Sequence, residues 1–348
     1  MNPVSKPEHI RALLIINPGA RNGTRLPDLM QAERYLQEQG WEITHTHTEY
    51  PGHTRELARA AAQRGYNLVI VAGGDGSIGQ AADGLAGTDV ALGIIPAGTG
   101  NILARDLHLP IPSPFMPNAF LEAARLLVDA VWMRVDVGAM TDVQGETRRF
   151  LNWCGAGFDA AVTTRVEPHP EEKRKWGVAA FVLPTVQTAL DYKPPYWTIT
   201  MSTPEGTEVV EGHFYLAVVN NAQLYAGVLR LAPNAFMDDG WLDISLIRAE
   251  TLQDFLMKMS ALAVLRRPVE PDILVRRVTG VDIESSPVQP VHLDGDPVAQ
   301  TPIQVRVEPR RLTLLVPSGS RFPRHLFSES VTEETASSLL EEFRRWWT

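Results

Sequence analysis

The first third of the chain alternates between two hydrophobic periods. Ala12–Asn17 is a short apolar run stopped by Pro18-Gly19, and Leu26–Gln39 then sets Leu29, Ala32 and Leu36 at helical spacing before Gly40. Glu42–His47 alternates like a strand, and the alanine-rich Thr54–Arg64 reads as a helix closed by Gly65. Two β-branched runs follow, Leu68–Ala72 and Val90–Ile95. They lead into Gly73-Gly74-Asp75-Gly76-Ser77 and, past Pro96-Ala97, into Gly98-Thr99-Gly100-Asn101. An unbroken apolar run ending in glycine predicts a parallel strand, buried on both faces, that stops in a tight turn. The repeated strand–helix order predicts an α/β domain on a doubly wound parallel sheet, with ligands at the carboxyl ends of the strands.

The period changes near Val131. Pro110, Pro112, Pro114 and Pro117 precede a last helix, Asn118–Ala130, and strand-like stretches then dominate. These are Val131–Val137, Arg149–Cys154, Trp197–Met201, His213–Asn220, Leu242–Ile247, Ile273–Ile283, Val288–Leu293, Ile303–Val307 and Leu312–Val316, with Thr251–Leu265 helical. They predict a mainly antiparallel β-sandwich. The expected division is a nucleotide-binding α/β domain over 1–131, a β-rich domain over 132–328 and an amphipathic helix over 329–348. In that tail Ser330 and Glu333 form a capping-box pattern, and Ala336, Leu339, Leu340, Phe343, Trp346 and Trp347 share one face. The face suits docking on its own domain; it also suits contact with a membrane or with a second copy in a homo-oligomer.

Composition narrows the partners. A chain of 348 residues can bury two cores, and its net charge of −9 argues against nucleic acid as the main partner. The single cysteine, Cys154, excludes an internal disulfide and fits a reducing cytoplasm. No leader pattern is expected at the start, and no apolar stretch approaches the ~18–20 residues of a membrane-spanning helix. A lipid substrate would therefore be met from the cytoplasmic side, at the inner membrane surface. Lys173-Arg174-Lys175 beside Trp176, Arg266-Arg267 and Arg276-Arg277 fit either solvated loops or contact with an anionic membrane face.

The candidate chemistry gathers at the turns. Glycines let backbone N–H groups approach a phosphate, and a helix N-terminus beyond adds positive potential. Gly73, Gly74 and Gly76 would supply such donors and Ser77 a hydroxyl. Gly98, Thr99 and Asn101 would close the opposite wall, with Asn17 nearby at the end of the first strand. Asp75 among phosphate donors implies Mg²⁺, or a carboxylate that fixes its own turn. Asp294 and Asp296 straddle Gly295 after a strand. If the strand continued through the glycine, both would share one face for acid–base work or a metal; Asp-Gly is equally a hairpin signal.

At Gly73–Ser77 the chain resembles the diacylglycerol kinase catalytic family. Matching stretches continue in order: Asn17-Pro18 lies before it, and Gly98-Thr99-Gly100-Asn101 with Leu103-Ala104-Arg105 follows. Gly155-Ala156-Gly157-Phe158-Asp159-Ala160, Asp239-Gly240-Trp241-Leu242-Asp243 and Asp294-Gly295-Asp296 complete the series. The resemblance covers roughly Leu13 to Val316. It implies an Mg²⁺-dependent lipid kinase that transfers the γ-phosphate of ATP to the hydroxyl of a diacylglycerol-like lipid in an interdomain cleft. Asp294 would be the base, supported by Asp296 and Asp75. It further implies a second Mg²⁺ held by Asp239 and the backbone carbonyls near Phe236 and Trp241, with Asp159 joining through waters. The chain departs from the family at three places. Gly79-Gln80 stands where relatives usually carry Asn-Glu, Ile102 where many have aspartate, and Asp296 in place of glutamate. Two other functions stay open: a soluble kinase of nicotinamide dinucleotide, and a nucleotide-binding sensor without turnover.

Overall fold

The computed structural model describes residues 3–23, 25–166, 192–225, 229–265, 268–269, 271–318 and 320. The expected tail helix over 329–348 and the clusters Lys173–Trp176 and Arg266-Arg267 lie outside the described residues.

The chain opens with β1 (Arg11–Ile16), α1 (Leu26–Glu38), β2 (Glu42–His47), α2 (His53–Gln63), β3 (Leu68–Gly73), α3 (Asp75–Leu85), β4 (Ala91–Pro96), α4 (Ile102–Asp106) and α5 (Ala119–Val128). The four strands run parallel in the order β2-β1-β3-β4. Side chains on β1 alternate between two cores. Leu13 and Ile15 join Ala58, Ile78 and Leu85 of α2 and α3, whereas Leu14 and Ile16 join Leu29, Leu36 and Phe120 of α1 and α5. With both faces covered, β3 and β4 are buried at every position, so they read as continuous apolar runs. Each aliphatic side chain buried there contributes about 1.5–3 kcal/mol. Edge strand β2 instead carries the polar sequence EITHTH.

The rest of the described chain is an antiparallel sandwich. Its strands are β5 (Val131–Thr141), β6 (Thr147–Phe150), β7 (Trp153–Gly157), β8 (Tyr196–Thr203), β9 (Gly206–His213), β10 (Leu216–Asn220), β11 (Leu224–Tyr225) and β12 (Leu229–Arg230). They continue with β13 (Leu242–Ile247), β14 (Ile273–Val278), β15 (Gly280–Ser286), β16 (Pro290–Leu293), β17 (Asp296–Gln300) and β18 (Ile303–Val316). A six-stranded sheet, β14-β13-β10-β7-β16-β17, faces the layer built from β5, β18, β15, β8 and β9. Phe150, Trp197, Phe214, Leu246 and Val305 fill the space between them. Helices α6 (Phe158–Val166) and α7 (Leu252–Leu265) cover the outer side of the six-stranded sheet through Phe158, Tyr215 and Phe255.

Three strand expectations change, the first being Arg149–Cys154, which divides between β6 and β7 of different sheets. The runs Ile303–Val307 and Leu312–Val316 form one strand, β18, with a register shift against β5 between Glu308 and Leu312. Arg310 sits there at φ 51 and donates its N–H to Asp136 Oδ1 at 2.7 Å, which bends the strand without ending it. Conversely, Ile273–Ile283 divides into β14 and β15, which belong to different sheets. The early half of β18 pairs with β15, while Thr313 and Leu314 pair in parallel with Ala91 and Leu92 of β4. One strand thereby joins the parallel sheet to the sandwich. Among the described residues, no helix is long and apolar enough to cross a membrane.

Candidate functional site

The glycine turns meet. Gly73 ends β3 opposite Pro96 at the end of β4, and Ala97 N–H donates to Gly73 O at 2.9 Å. A Cβ on Gly74 would come within 3.2 Å of Gly98 Cα, and one on Gly98 would overlap the Gly74 backbone. Only chains without side chains at these positions can lie so close. Asn17, just past β1, donates from Nδ2 to Ser77 Oγ at 2.7 Å and accepts Gly19 N–H at 2.8 Å. Ser77 in turn packs over Gly73, where a Cβ would fall 2.8 Å from the serine Cβ. Asn17, Gly73, Gly74, Ser77 and Gly98 thus occupy one corner at the strand ends, beside the first turn of α3. Thr99 is half-buried in the same turn. Asn101, expected at the nucleotide, belongs to this turn as well. It is fully buried at φ 50 and spends its amide on Gly98, accepting the Gly98 N–H at 2.9 Å and donating to Gly98 O at 3.0 Å.

Asp75 faces backbone donors. Its Oδ1 accepts the Ile102 N–H at 2.6 Å, so the carboxylate caps α4 across the site. Burial pushes its pKa up, while the N–H groups of Ile102, Leu103 and Asn101 pull against that rise. A Cβ on Gly100 would approach Asp75 Oδ2 to 2.8 Å. The carboxylate therefore ties the first glycine turn to the second.

Asp294 and Asp296 reach the same helix from the sandwich. The chain turns between β16 and β17, with Asp294 at φ 50 and Gly295 at φ 91, so strand geometry does not continue through the glycine. Both carboxylates nonetheless face α3, because the hairpin tip lies against Gly76 and Gly79. A Cβ on Gly76 would fall 2.8 Å from Asp296 Cγ, and one on Gly79 would fall 2.6 Å from Asp294 Oδ2. Asp294 is buried and accepts three backbone N–H groups: Leu151 on Oδ2 at 2.8 Å, and Asn152 and Trp153 on Oδ1 at 2.8 and 3.1 Å. Burial outweighs these donors and pushes its pKa up to about 6. Asp296 is only partly buried and accepts a hydrogen bond from Gln80 Nε2 on Oδ2 at 3.0 Å.

The expected second metal site is not assembled. Asp239 Oδ1 accepts the Trp241 N–H at 3.0 Å, and Oδ2 pairs with Arg277 Nη2 at 3.2 Å. Phe236 and Trp241 are half-buried on the same turn. Burial pushes Asp239 up, and neighbouring Asp243 rises to about 6 for the same reason, with Arg277 opposing both. The guanidinium supplies the positive charge that a cation would bring. Asp159 lies elsewhere, bonded through Oδ2 to His292 Nε2 at 2.9 Å and to the Tyr225 hydroxyl at 2.7 Å. Burial alone would raise its pKa, but His292, Tyr225 and the Ala160 N–H together hold it below the ordinary carboxylate range. Among the described residues, no three acidic, histidine or cysteine side chains converge to hold a metal. As placed, Asp159 and Asp239 do not share one site.

His292 is the residue that sequence reasoning passed over. Its Nδ1 accepts the Gly295 N–H at 3.2 Å, which leaves Nε2 as the protonated nitrogen facing Asp159. The buried chain Tyr225–Asp159–His292 thereby supports the tip of the acidic hairpin. Its signal in the sequence is the histidine two residues before Asp294, on the strand that leads into the tip.

A parallel sheet carrying two facing glycine turns is thus met by an acidic hairpin from an antiparallel sandwich. A family model for the diacylglycerol kinase catalytic domain matches residues 11–140, and one described as the YegS C-terminal NAD kinase beta sandwich-like domain matches 152–316. The chain belongs to the diacylglycerol kinase catalytic-domain family of lipid kinases. It is 32% identical over 307 residues to a probable lipid kinase YegS-like of Chromohalobacter salexigens, covering 86% of this chain and 92% of that protein. It is 28% identical over 305 residues to a diacylglycerol kinase of Mycobacterium tuberculosis, covering 87% and 94%. A solved structure described as a putative diacylglycerol kinase from Bacillus anthracis superposes with a TM-score of 0.71 at 25% identity, covering 91% of this chain and 98% of that one.

Proposed function

We propose that the chain is an ATP-dependent kinase that phosphorylates a hydroxyl of a diacylglycerol-like lipid, in the cleft between the parallel sheet and the sandwich. The observation that carries the reading is the backbone contact between Gly74 and Gly98 with Asp296 at the first turn of α3. Backbone N–H groups of Gly74–Ser77 would receive the phosphates, favoured by the positive end of α3, and the Gly98–Thr99 turn would close over them. Mg²⁺ would enter bound to the nucleotide, as part of the substrate, and neutralise phosphate charge.

Asp296, rather than Asp294, is the better base. Its carboxylate is partly accessible and lies at the phosphate turn, whereas Asp294 is enclosed and holds Leu151–Trp153. In the transfer, Asp296 takes the proton of the lipid hydroxyl as that oxygen bonds to the γ-phosphorus. The bond from phosphorus to the bridging oxygen breaks, and its electron pair leaves on ADP. Asp75 acts by keeping the two turns together. The relatives' names support a lipid acceptor, and the protein would work as a peripheral enzyme at the inner membrane surface.

Transfer of labelled γ-phosphate to a panel of lipids in mixed micelles tests this reading. Labelled diacylglycerol or a related lipid alcohol is expected. ATP binding without any labelled lipid would replace it with a nucleotide sensor, and labelled NADP would replace it with a dinucleotide kinase.

A further inference from the structure

Two of the residues by which this chain departs from the family it resembles, Gln80 and Asp296, touch one another in space, and a third, Gly79, precedes Gln80 on the same helix. Gly76, Gly79 and Gln80 are spaced i, i+3 and i+4 on α3, so they share one helical face. The first two offer no side chain, and the hairpin tip fills that space. A Cβ on Gly76 would press on Asp296, and one on Gly79 would come within 2.6 Å of Asp294 Oδ2. Gln80 stands at the edge of this bare strip, and its Nε2 donates to Asp296 Oδ2 at 3.0 Å across 216 residues of sequence. The bond is made to Oδ2, so the amide fixes the direction of the carboxylate. A glutamate at position 80 would instead set two like charges within hydrogen-bond reach.

We propose that Gln80 is a positioning residue: seated beside the bare strip of Gly76 and Gly79, its amide fixes the Asp296 carboxylate at the phosphate turn. The inference rests on the assignment of Asp296 as base given above. It explains why the shorter carboxylate at 296 and the neutral amide at 80 occur together. The aspartate is held by a donor that brings no charge of its own, and the glycine at 79 lets the hairpin come near enough for the two to meet.

Two variants test it. Gln80→Met keeps the length of the side chain and removes the donor, and Gly79→Ala pushes the hairpin away from α3. Gln80→Met is expected to lower kcat about 10- to 100-fold while KM for ATP stays within about twofold, because a small misplacement of a reacting group costs rate rather than nucleotide binding. Combined with Asp296→Asn, it is expected to cost little beyond Asp296→Asn alone, since both act through one carboxylate. Gly79→Ala is expected to lower kcat at least as far, with nucleotide binding retained. An unchanged kcat in Gln80→Met, or a loss that multiplies fully with Asp296→Asn, would overturn the proposal.

If the unaltered protein phosphorylates no lipid, the activity assignment fails by itself. The contact is then read from the ¹³C carboxyl resonance of Asp296, identified by its absence in Asp296→Asn. A moved resonance in Gln80→Met upholds the Gln80 contact, and an unmoved one overturns it.

Discussion

Two Asp-Gly turns in the sandwich look alike as sequence and differ in chemistry. At Asp239-Gly240 the acid meets its own backbone and a guanidinium: Trp241 N–H binds one oxygen and Arg277 the other. Nearby Asp136 is occupied in the same way, accepting the N–H groups of Gly240 and Arg310. At Asp294-Gly295-Asp296 the acids meet a helix face without side chains, the amide of Gln80 and three backbone donors. The first turn is neutralised inside its own domain. The second carries its charge across to the N-terminus of a helix in the other domain, where the proposed function places a phosphate. A carboxylate's role follows from what packs against it, and an Asp-Gly pair alone does not fix that role.

The sharpest way to break this contrast is to neutralise each turn. Asp296→Asn is expected to lower kcat by about 10²- to 10⁴-fold, the usual worth of a general base, with ATP affinity nearly unchanged. Asp239→Asn is expected to leave kcat within about threefold of the parent, because its loss falls on structure. Steady-state transfer of labelled phosphate measures both. Equal losses would erase the distinction.

A glycine pair sharpens it further. Gly98→Ala forces a Cβ into the Gly74 backbone, and overpacking of this kind costs about 1–3 kcal/mol. Nucleotide affinity by calorimetry should fall about tenfold or more if the turn that moves holds phosphate as proposed. Gly240→Ala meets open space and suffers only from its φ of +79. It should lose about 1 kcal/mol of stability and no nucleotide affinity.

Acidity gives a third comparison. Burial raises Asp106 to about 7 and Asp243 and Asp294 to about 6. Carboxyls whose folded values lie above their unfolded ones stabilise the fold while protonated, and that contribution is lost as pH rises through the folded values. The melting temperature should therefore fall between about pH 5 and about pH 8, and Asp106→Asn should flatten the upper part of that fall. A melting temperature that rose over the same window would contradict these environments. The smallest effect is expected from Arg277→Met. The guanidinium side chain is 37% exposed, so losing its pairing with Asp239 should cost about 1 kcal/mol in denaturant unfolding and leave ATP binding unchanged.

Much of the architecture was legible because it follows from local period. Glu42–His47 and Leu242–Ile247 appear as strands with those bounds, and Gly40 and Gly65 close their helices at positive φ. The glycine turns were legible for the same reason: an apolar run that ends in glycine has few other uses. The contacts that give the acids their roles were not. Asp75 caps a helix 27 residues away, and Gln80 meets Asp296 across 216, distances at which no local pattern survives. Asp159 and Asp239 carry no mark of lying apart, and Arg277 reads as a surface cation until β14 pairs with β13 in register. The sequence reads β18 as two strands because Glu308–Arg311 is polar, although both halves stay paired with β5 in one sheet across the bulge.

A crystal structure with a non-hydrolysable ATP analogue probes the site most directly. The triphosphate should lie between the Gly74–Ser77 and Gly98–Thr99 backbones, with its terminal phosphate on the side of Asp296. A nucleotide bound away from these turns, or a terminal phosphate pointing away from Asp296, would contradict the account.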